Sequence, residues 1–191
     1  MASLQATVAL RPMAAHDIPM LHRWLQRPHV VESWGGERPT LAQVQARYLP
    51  RIQSAGKVTP YIGMLDGPPF AYAQSYVALG AGDGWWEDET DPGVRGIDQF
   101  IADPGLLGRG LGTRLARVLV DRLFSDPRVS MVQADPSPHD LRAIRCYEKA
   151  GLRRIRTIDT PDGPALHMLR HRPAAGAGAQ AVSTSTKGTF P

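Results

Sequence analysis

Asp98 stands in the segment Val94-Arg95-Gly96-Ile97-Asp98-Gln99-Phe100-Ile101-Ala102, where Ile97, Phe100 and Ile101 are apolar. A carboxylate there is costly unless it is paired. It either caps a turn or pairs with Arg95, or it is held for chemistry: beside an amine, a carboxylate can orient the group and accept its proton, directly or through water. A second segment, Leu107-Gly108-Arg109-Gly110-Leu111-Gly112-Thr113, precedes a strongly amphipathic stretch. Glycines let the backbone approach a ligand, and free N–H groups at a helix start suit phosphate oxygens. The spacing is neither the G-x-G-x-x-G of dinucleotide folds nor a P-loop, which needs Gly-Lys-Ser/Thr; taken alone it also fits a glycine-rich turn entering a helix. In the third, Asp140 to Leu152, Ala143, Tyr147 and Ala150 share one helix face. Tyr147 projects where the two small residues leave room, unless its hydroxyl simply faces solvent. Cys146 is turned about 100° away and cannot face the same ligand, so it reads as a buried, inert thiol.

Helices and strands have to place these groups. Thr7 to Arg11 alternates as a first strand. Ile18, Leu21, Trp24 and Leu25 fall at helical spacing behind Asp17, a candidate N-cap. A second helix starts at Thr40, with Leu41, Val44 and Tyr48 on one face and Pro50 expected to disturb it. Tyr61 to Leu65 and Phe70 to Ala78 read as a hairpin around Asp66-Gly67-Pro68-Pro69. Val94 to Ala102 and Val129 to Ala134 are further strands. A helix follows Gly110, with Leu111, Leu115, Val118, Leu119 and Leu123 in period, and another spans Leu141 to Ala150, ended by Gly151. Leu152 to Ile158 and Ala165 to Arg170 complete the order β-α-α-β-β-β-α-β-α-β-β, an α/β sandwich on one mixed sheet. One domain is expected over residues 1–172, and the small, polar stretch 173–191 reads as a disordered tail.

Composition narrows the functional class. No apolar run approaches the roughly 20 residues that cross a bilayer, no signal-peptide layout is visible, and the single cysteine fits a reducing cytoplasm. The six histidines are never at ligand spacing, so no metal site is expected. The formal charge of +4 alone would suggest an anionic partner, nucleic acid included. It is a sum over unlike regions: seven acids and one base lie between Asp83 and Asp103, against thirteen bases and seven acids from Gly108 to Arg172. That division fits an anionic partner on the basic half and a cation beside the acidic stretch, with no nucleic acid needed.

The glycine-rich loop, its helix, a strand and then a helix carrying A-x-x-x-Y-E-K-x-G resemble the GNAT superfamily of acetyl-coenzyme A dependent N-acetyltransferases. Two positions depart from its pattern: Leu107, where Gln or Arg is usual, and Asp140, where Asn is usual. Asp140 is therefore given no binding role. Within that superfamily, several blocks look like the plasmid-borne resistance type of aminoglycoside 6'-N-acetyltransferase. They are Val58 to Ile62, Tyr72 to Gly80, Gly82-Asp83-Gly84-Trp85-Trp86, Asp91 to Gln99, Asp135-Pro136-Ser137-Pro138 and Thr160 to Ala165.

The resemblance implies a GNAT fold, with a mixed, mostly antiparallel sheet flanked by helices, and acetyl-coenzyme A as cosubstrate without a metal. Pyrophosphate would rest on the amides of Gly108, Arg109, Gly110, Leu111, Gly112 and Thr113, and pantetheine on backbone near Phe100 and Ile101. Asp98 would receive the proton of the attacking amine, and Tyr147 would protonate or hydrogen-bond the departing thiolate. Asp83, Asp98, Asp135 and Asp162 would line the acceptor site, with Tyr48, Gln74 and Ser75 as further candidates. Trp34, Trp85 and Trp86 lie in Gly- and acid-rich segments and suit a wall for a polyamino sugar, although loop tryptophans also pack simply on a domain surface. The acceptor would be an aminoglycoside, or else a protein N-terminus or polyamine, and the enzyme a cytoplasmic monomer or homodimer.

Overall fold

Two residues, Asp66 (φ +51°) and Gly67 (φ +114°), turn the chain from strand β2 (Val58–Leu65) into β3 (Pro69–Val77). Positive φ at both central positions matches the right-handed twist of paired strands, so Asp-Gly sets the hairpin. The computed structural model describes residues 6–173 apart from 35, 37, 54 and 55; the stretch expected to form a tail lies, beyond Pro173, outside them. Around the hairpin the strands β1 (Val8–Pro12), β4 (Val94–Ile101), β5 (Met131–Ala134), β6 (Arg153–Thr160) and β7 (Gly163–His171) complete a seven-stranded sheet of order β1-β2-β3-β4-β5-β7-β6. All neighbours are antiparallel except β4 and β5.

Period-2 alternation gives the sheet two apolar faces. One is covered by α4 (Leu111–Phe124) and α5 (Leu141–Lys149), where Leu115, Leu119 and Ile144 meet Ile97, Val132 and Met168. The other carries α1 (Ile18–Leu25), α2 (Pro28–Trp34) and α3 (Leu41–Gln53), where Leu21, Trp24 and Tyr48 pack on Ile62, Tyr72 and Phe100. Register sorts the strands consistently: Tyr72↔Phe100, Gln74↔Asp98 and Tyr76↔Gly96 lie on the face of α1 to α3, and Ala73↔Gln99 and Ser75↔Ile97 on the face of α4.

The structure differs from the sequence expectations at three places. Helix α2 was not expected, because seven residues give too short a period to read. Asp17 does not cap α1: it is 3% exposed, pairs with Arg11 at 2.6 Å and accepts the Ala14 N–H at 2.9 Å, so it closes the turn between β1 and the helix. Pro50 lies inside α3, which runs on to Gln53; it takes one N–H donor from the last turn without ending the helix. The start of α3 is held reciprocally by Thr40, whose N–H donates to Gln43 Oε1 (2.7 Å) and whose Oγ1 accepts from Gln43 N–H (3.3 Å).

Candidate active site

The site begins where two strands part. Pairing of β4 with β5 covers only Val94↔Met131, Arg95↔Val132 and Gly96↔Gln133, whereas β4 continues to Ile101. In an antiparallel pair, alternate residues point both backbone groups at the partner. Ala78 N–H donates to the Val94 carbonyl and Ala102 N–H to the Phe70 carbonyl, so the even-numbered residues of β4 face β3. Ile97, Gln99 and Ile101 therefore turn their backbone groups to the split edge. This corrects one expectation: the Phe100 backbone is committed to β3, and its ring lies 5.0 Å from Trp34 and 5.5 Å from Tyr72. Ile101 does face the split, where its carbonyl accepts from His29 Nε2 at 2.9 Å.

At the mouth of the split, Gly108 (φ +75°) and Gly110 (φ +74°) hold left-handed conformations, and a Cβ on either would meet nothing within 4 Å. The glycines thus serve backbone shape and an open approach, not packing. Gly110 precedes α4 without any side-chain cap, so the first-turn amides of Leu111, Gly112 and Thr113 lack the usual side-chain acceptor. Such a start receives phosphate oxygens, and the residues present fit the pyrophosphate of coenzyme A. A Cβ on Gly112 would lie 3.4 Å from Cys146 Sγ and 3.6 Å from Gln99 Nε2, which donates to the Gly112 carbonyl at 2.9 Å. Burial pushes the Cys146 thiol up, which keeps it un-ionised. Asp140 accepts the Ala143 N–H at 2.9 Å and caps α5, which explains an acid at that position without a ligand.

On the opposite face of β4, Asp98 accepts from Gln74 Nε2 at 2.7 Å. Burial pushes the Asp98 carboxyl above the ordinary range, while the Gln74 amide and the Arg51 charge pull against it. Tyr147 is 6% exposed, and burial, reinforced by the charge of Asp98, raises its phenol well above the usual value. It therefore keeps its proton and remains a donor. Asp135 is pushed up to about 7, first by burial and then by Asp98 and Asp162. Two of the expected acids, Asp98 and Asp162, thus lie close enough to act on a third, Asp135. Asp162 is exposed on the β6–β7 turn, and Asp83 is exposed at φ +53° on the loop between β3 and β4. That loop lies against the β6–β7 turn, since a Cβ on Gly84 would sit 3.1 Å from Pro161 Cγ.

The aromatic candidates divide. Trp86 donates from Nε1 to the Tyr76 oxygen at 3.0 Å and lies 5.1 Å from the His167 ring; Trp85 is half-buried beside it. Trp34 is on α2 instead of a loop, edge-on to Tyr72 and Phe100. Tyr48 is 2% exposed and supports Tyr72 from behind. Ser75 is placed apart from the rest: strand alternation turns it to the α4 face, in a cavity of about 440 Å³ with Tyr61, Arg95 and Arg122. Two residues near the acids were missed. Tyr76 shares the face of Gln74 and Asp98, which alternation in Tyr72-Ala73-Gln74-Ser75-Tyr76 could have signalled. Arg51 reaches Gln74 Oε1 at 3.2 Å from α3, and no local motif marks it.

A sheet that splits between its parallel pair, with an uncapped glycine-led helix on one side and clustered carboxylates on the other, defines an acyltransferase of the GNAT class. The chain belongs to the GNAT acetyltransferase family, whose acetyltransferase (GNAT) domain matches residues 13–160. More narrowly, it is 62% identical over 170 residues to aminoglycoside N(6')-acetyltransferase type 1 of Klebsiella pneumoniae, covering 88% of this chain and 85% of that one. Among solved structures it is similar to the aminoglycoside acetyltransferase AAC(6')-Ib in complex with coenzyme A and kanamycin, at TM-score 0.83 and 61% identity over 87% of this chain and 95% of that one. The complex of AAC(6')-Ib with ribostamycin and coenzyme A matches at TM-score 0.84 and 62% identity, covering 87% of this chain and 94% of that one.

Proposed function

We propose that this chain is an aminoglycoside 6'-N-acetyltransferase that confers resistance by acetylating the 6'-amine of the antibiotic with acetyl-coenzyme A. The observation that carries the reading is the crowding of Asp135, whose carboxyl is raised by burial and by the charges of Asp98 and Asp162, beside the split between β4 and β5. Carboxylates crowded in this way are stabilised by a polycation, and the split is where an acyl donor reaches them.

Acetyl-coenzyme A supplies the acetyl group as a reactive thioester. The amides of Gly108 to Thr113 hold its pyrophosphate, and the β4 edge at Gln99, with the Ile101 N–H, holds the pantetheine arm. Asp135 and Asp162 bind acceptor ammonium groups, with Asp83 and the Trp85-Trp86 loop closing over the sugar. An alkyl ammonium, with a pKa near that of lysine at about 10, is mostly protonated at neutral pH and cannot attack. Asp98 receives its proton, and the freed nitrogen lone pair forms the new C–N bond as the C–S bond breaks. Tyr147 gives its proton to the thiolate sulfur, the second proton leaving the acylated nitrogen restores the phenol, and the proton held by Asp98 passes to solvent. Holding both substrates in line accounts for much of the acceleration. The enzyme acts in the cytoplasm, where its acyl donor is made, as a monomer or homodimer.

The test is release of free coenzyme A from purified protein with kanamycin or tobramycin, followed by NMR location of the acetyl group. Acetylation at the 6'-nitrogen is expected; release no faster with the antibiotic than without it would overturn the reading.

A further inference from the structure

Gln74 is the direct neighbour of Asp98, and its amide has two ends that look alike in shape but opposite in chemistry. Its nitrogen donates to Asp98 Oδ2 at 2.7 Å, and its oxygen accepts from Tyr72 Oη at 2.8 Å and from Arg51 Nη1 at 3.2 Å. These two partners are not equivalent. A tyrosine hydroxyl can donate or accept, so Tyr72 would tolerate the amide turned either way round. A guanidinium only donates. Arg51 therefore decides which end of Gln74 faces which way.

We propose that Arg51 is a positioning residue: by accepting no hydrogen bond, it holds Gln74 with its carbonyl toward α3 and its N–H₂ toward Asp98, which keeps Asp98 a proton-accepting carboxylate. The inference rests on Asp98 being the base of the proposed transfer. With the amide reversed, a carbonyl oxygen would face the carboxylate, and only the protonated acid could bond to it. The other groups around Asp98 do not supply this function. Tyr72 and Tyr76 from β3 and Tyr147 from α5 are all raised well above the ordinary phenol range, and Asp135, just past β5, carries like charge. Arg51 is the cation acting on Asp98, and it is already anchored, with its guanidinium 5.2 Å from the centre of the Tyr48 ring.

A role through Gln74 differs from a plain charge effect of Arg51, and a double-mutant cycle separates them. The experiment compares wild type, Arg51→Met, Gln74→Met, the double variant and Arg51→Lys. Two readouts are taken: the pH profile of kcat/KM for kanamycin, and the ¹³C NMR titration of the Asp98 carboxyl, assigned with Asp98→Asn. Arg51→Met is expected to move the acid limb and the carboxyl midpoint up by about one pH unit, with the KM for acetyl-coenzyme A within about twofold. Arg51→Lys, which keeps an obligate donor, is expected to restore most of the shift. In the Gln74→Met background, removing Arg51 should add a clearly smaller shift, since only its direct charge effect on Asp98 remains. A shift of equal size in both backgrounds, or no shift in Arg51→Met, overturns the proposal. The NMR titration needs no turnover, so a wild type that fails to acetylate kanamycin would sink the functional reading while the positioning role is still measured. Should the double variant not fold, absence of a midpoint difference between Arg51→Met and Arg51→Lys refutes the role.

Discussion

The ring of Tyr76 lies flat across Gly96: a Cβ on that glycine would stand 2.0 Å from Tyr76 Cζ and 2.4 Å from its oxygen. The pair faces across the β3–β4 register, and only a residue without a side chain lets the ring lie there. Its position matters because the Tyr76 oxygen accepts the Trp86 N–H and so ties the loop between β3 and β4 to the sheet. Gly96→Ala should lift the ring and release Trp86. The loss of one such bond corresponds to a rise in acceptor KM of about five- to tenfold, with stability lower by about 1–3 kcal/mol from overpacking. Steady-state kinetics and a melting curve check this, and an unchanged acceptor KM would detach the loop from substrate binding.

Asp98→Asn keeps the shape of the side chain and removes its basicity. General-base assistance contributes about 10²- to 10⁴-fold, so kcat should fall within that range at neutral pH. Asp98 lies on the opposite face of the sheet from the glycine-led helix, and coenzyme A affinity by calorimetry should stay within about twofold of wild type. Turnover close to normal would remove Asp98 from the chemistry.

Gly110 should behave in the opposite way. Its φ of +74° is strained for any side chain, although the space around it is open. Gly110→Ala therefore costs about 1–2 kcal/mol through the backbone alone, or a shift that re-aims the first amides of α4. The KM for acetyl-coenzyme A should rise about tenfold or more while the KM for kanamycin holds. Kinetics with each substrate varied in turn distinguishes this from general destabilisation, which would lower kcat alone by reducing active enzyme.

What the sequence made legible follows from what is local. The Asp66-Gly67 hairpin, α4 with its apolar stripe and the glycines of its start are each written in a few adjacent residues, and each stands where it was expected. The joint placement of Asp98, Asp135 and Asp162 was legible only through resemblance, because three elements far apart in the chain supply them. Strand alternation was available and under-used: it puts Ser75 behind the sheet and Tyr76 beside Asp98, one residue apart in sequence and on opposite faces. Helix α2 and the reach of Arg51 to Gln74 depend on tertiary packing, for which no short pattern exists.

Asp135 gives a prediction whose sign is set by linkage. Its carboxyl is raised from an ordinary 3.8 to about 7 in the fold, so the native state binds that proton more tightly than the unfolded chain does. Stability from this group is complete below about pH 4, declines as pH rises between the two values, and is gone above about 7. The amide that Asp135→Asn introduces stays neutral throughout and suffers no such loss. The two proteins should therefore melt together near pH 4, and the variant should gain steadily to a plateau above pH 7. With the side chain half-buried, the plateau is expected at about 1 kcal/mol or more, or roughly 2–4 °C per kcal/mol for a chain of this size. Saturating kanamycin should narrow the difference at pH 8, because bound ammonium groups offset the charge that the wild-type cluster otherwise carries alone. Calorimetric scans from pH 4 to 8 check both parts. Parallel curves with no pH-dependent gap would mean that Asp135 ionises freely in the fold and is not crowded by Asp98 and Asp162.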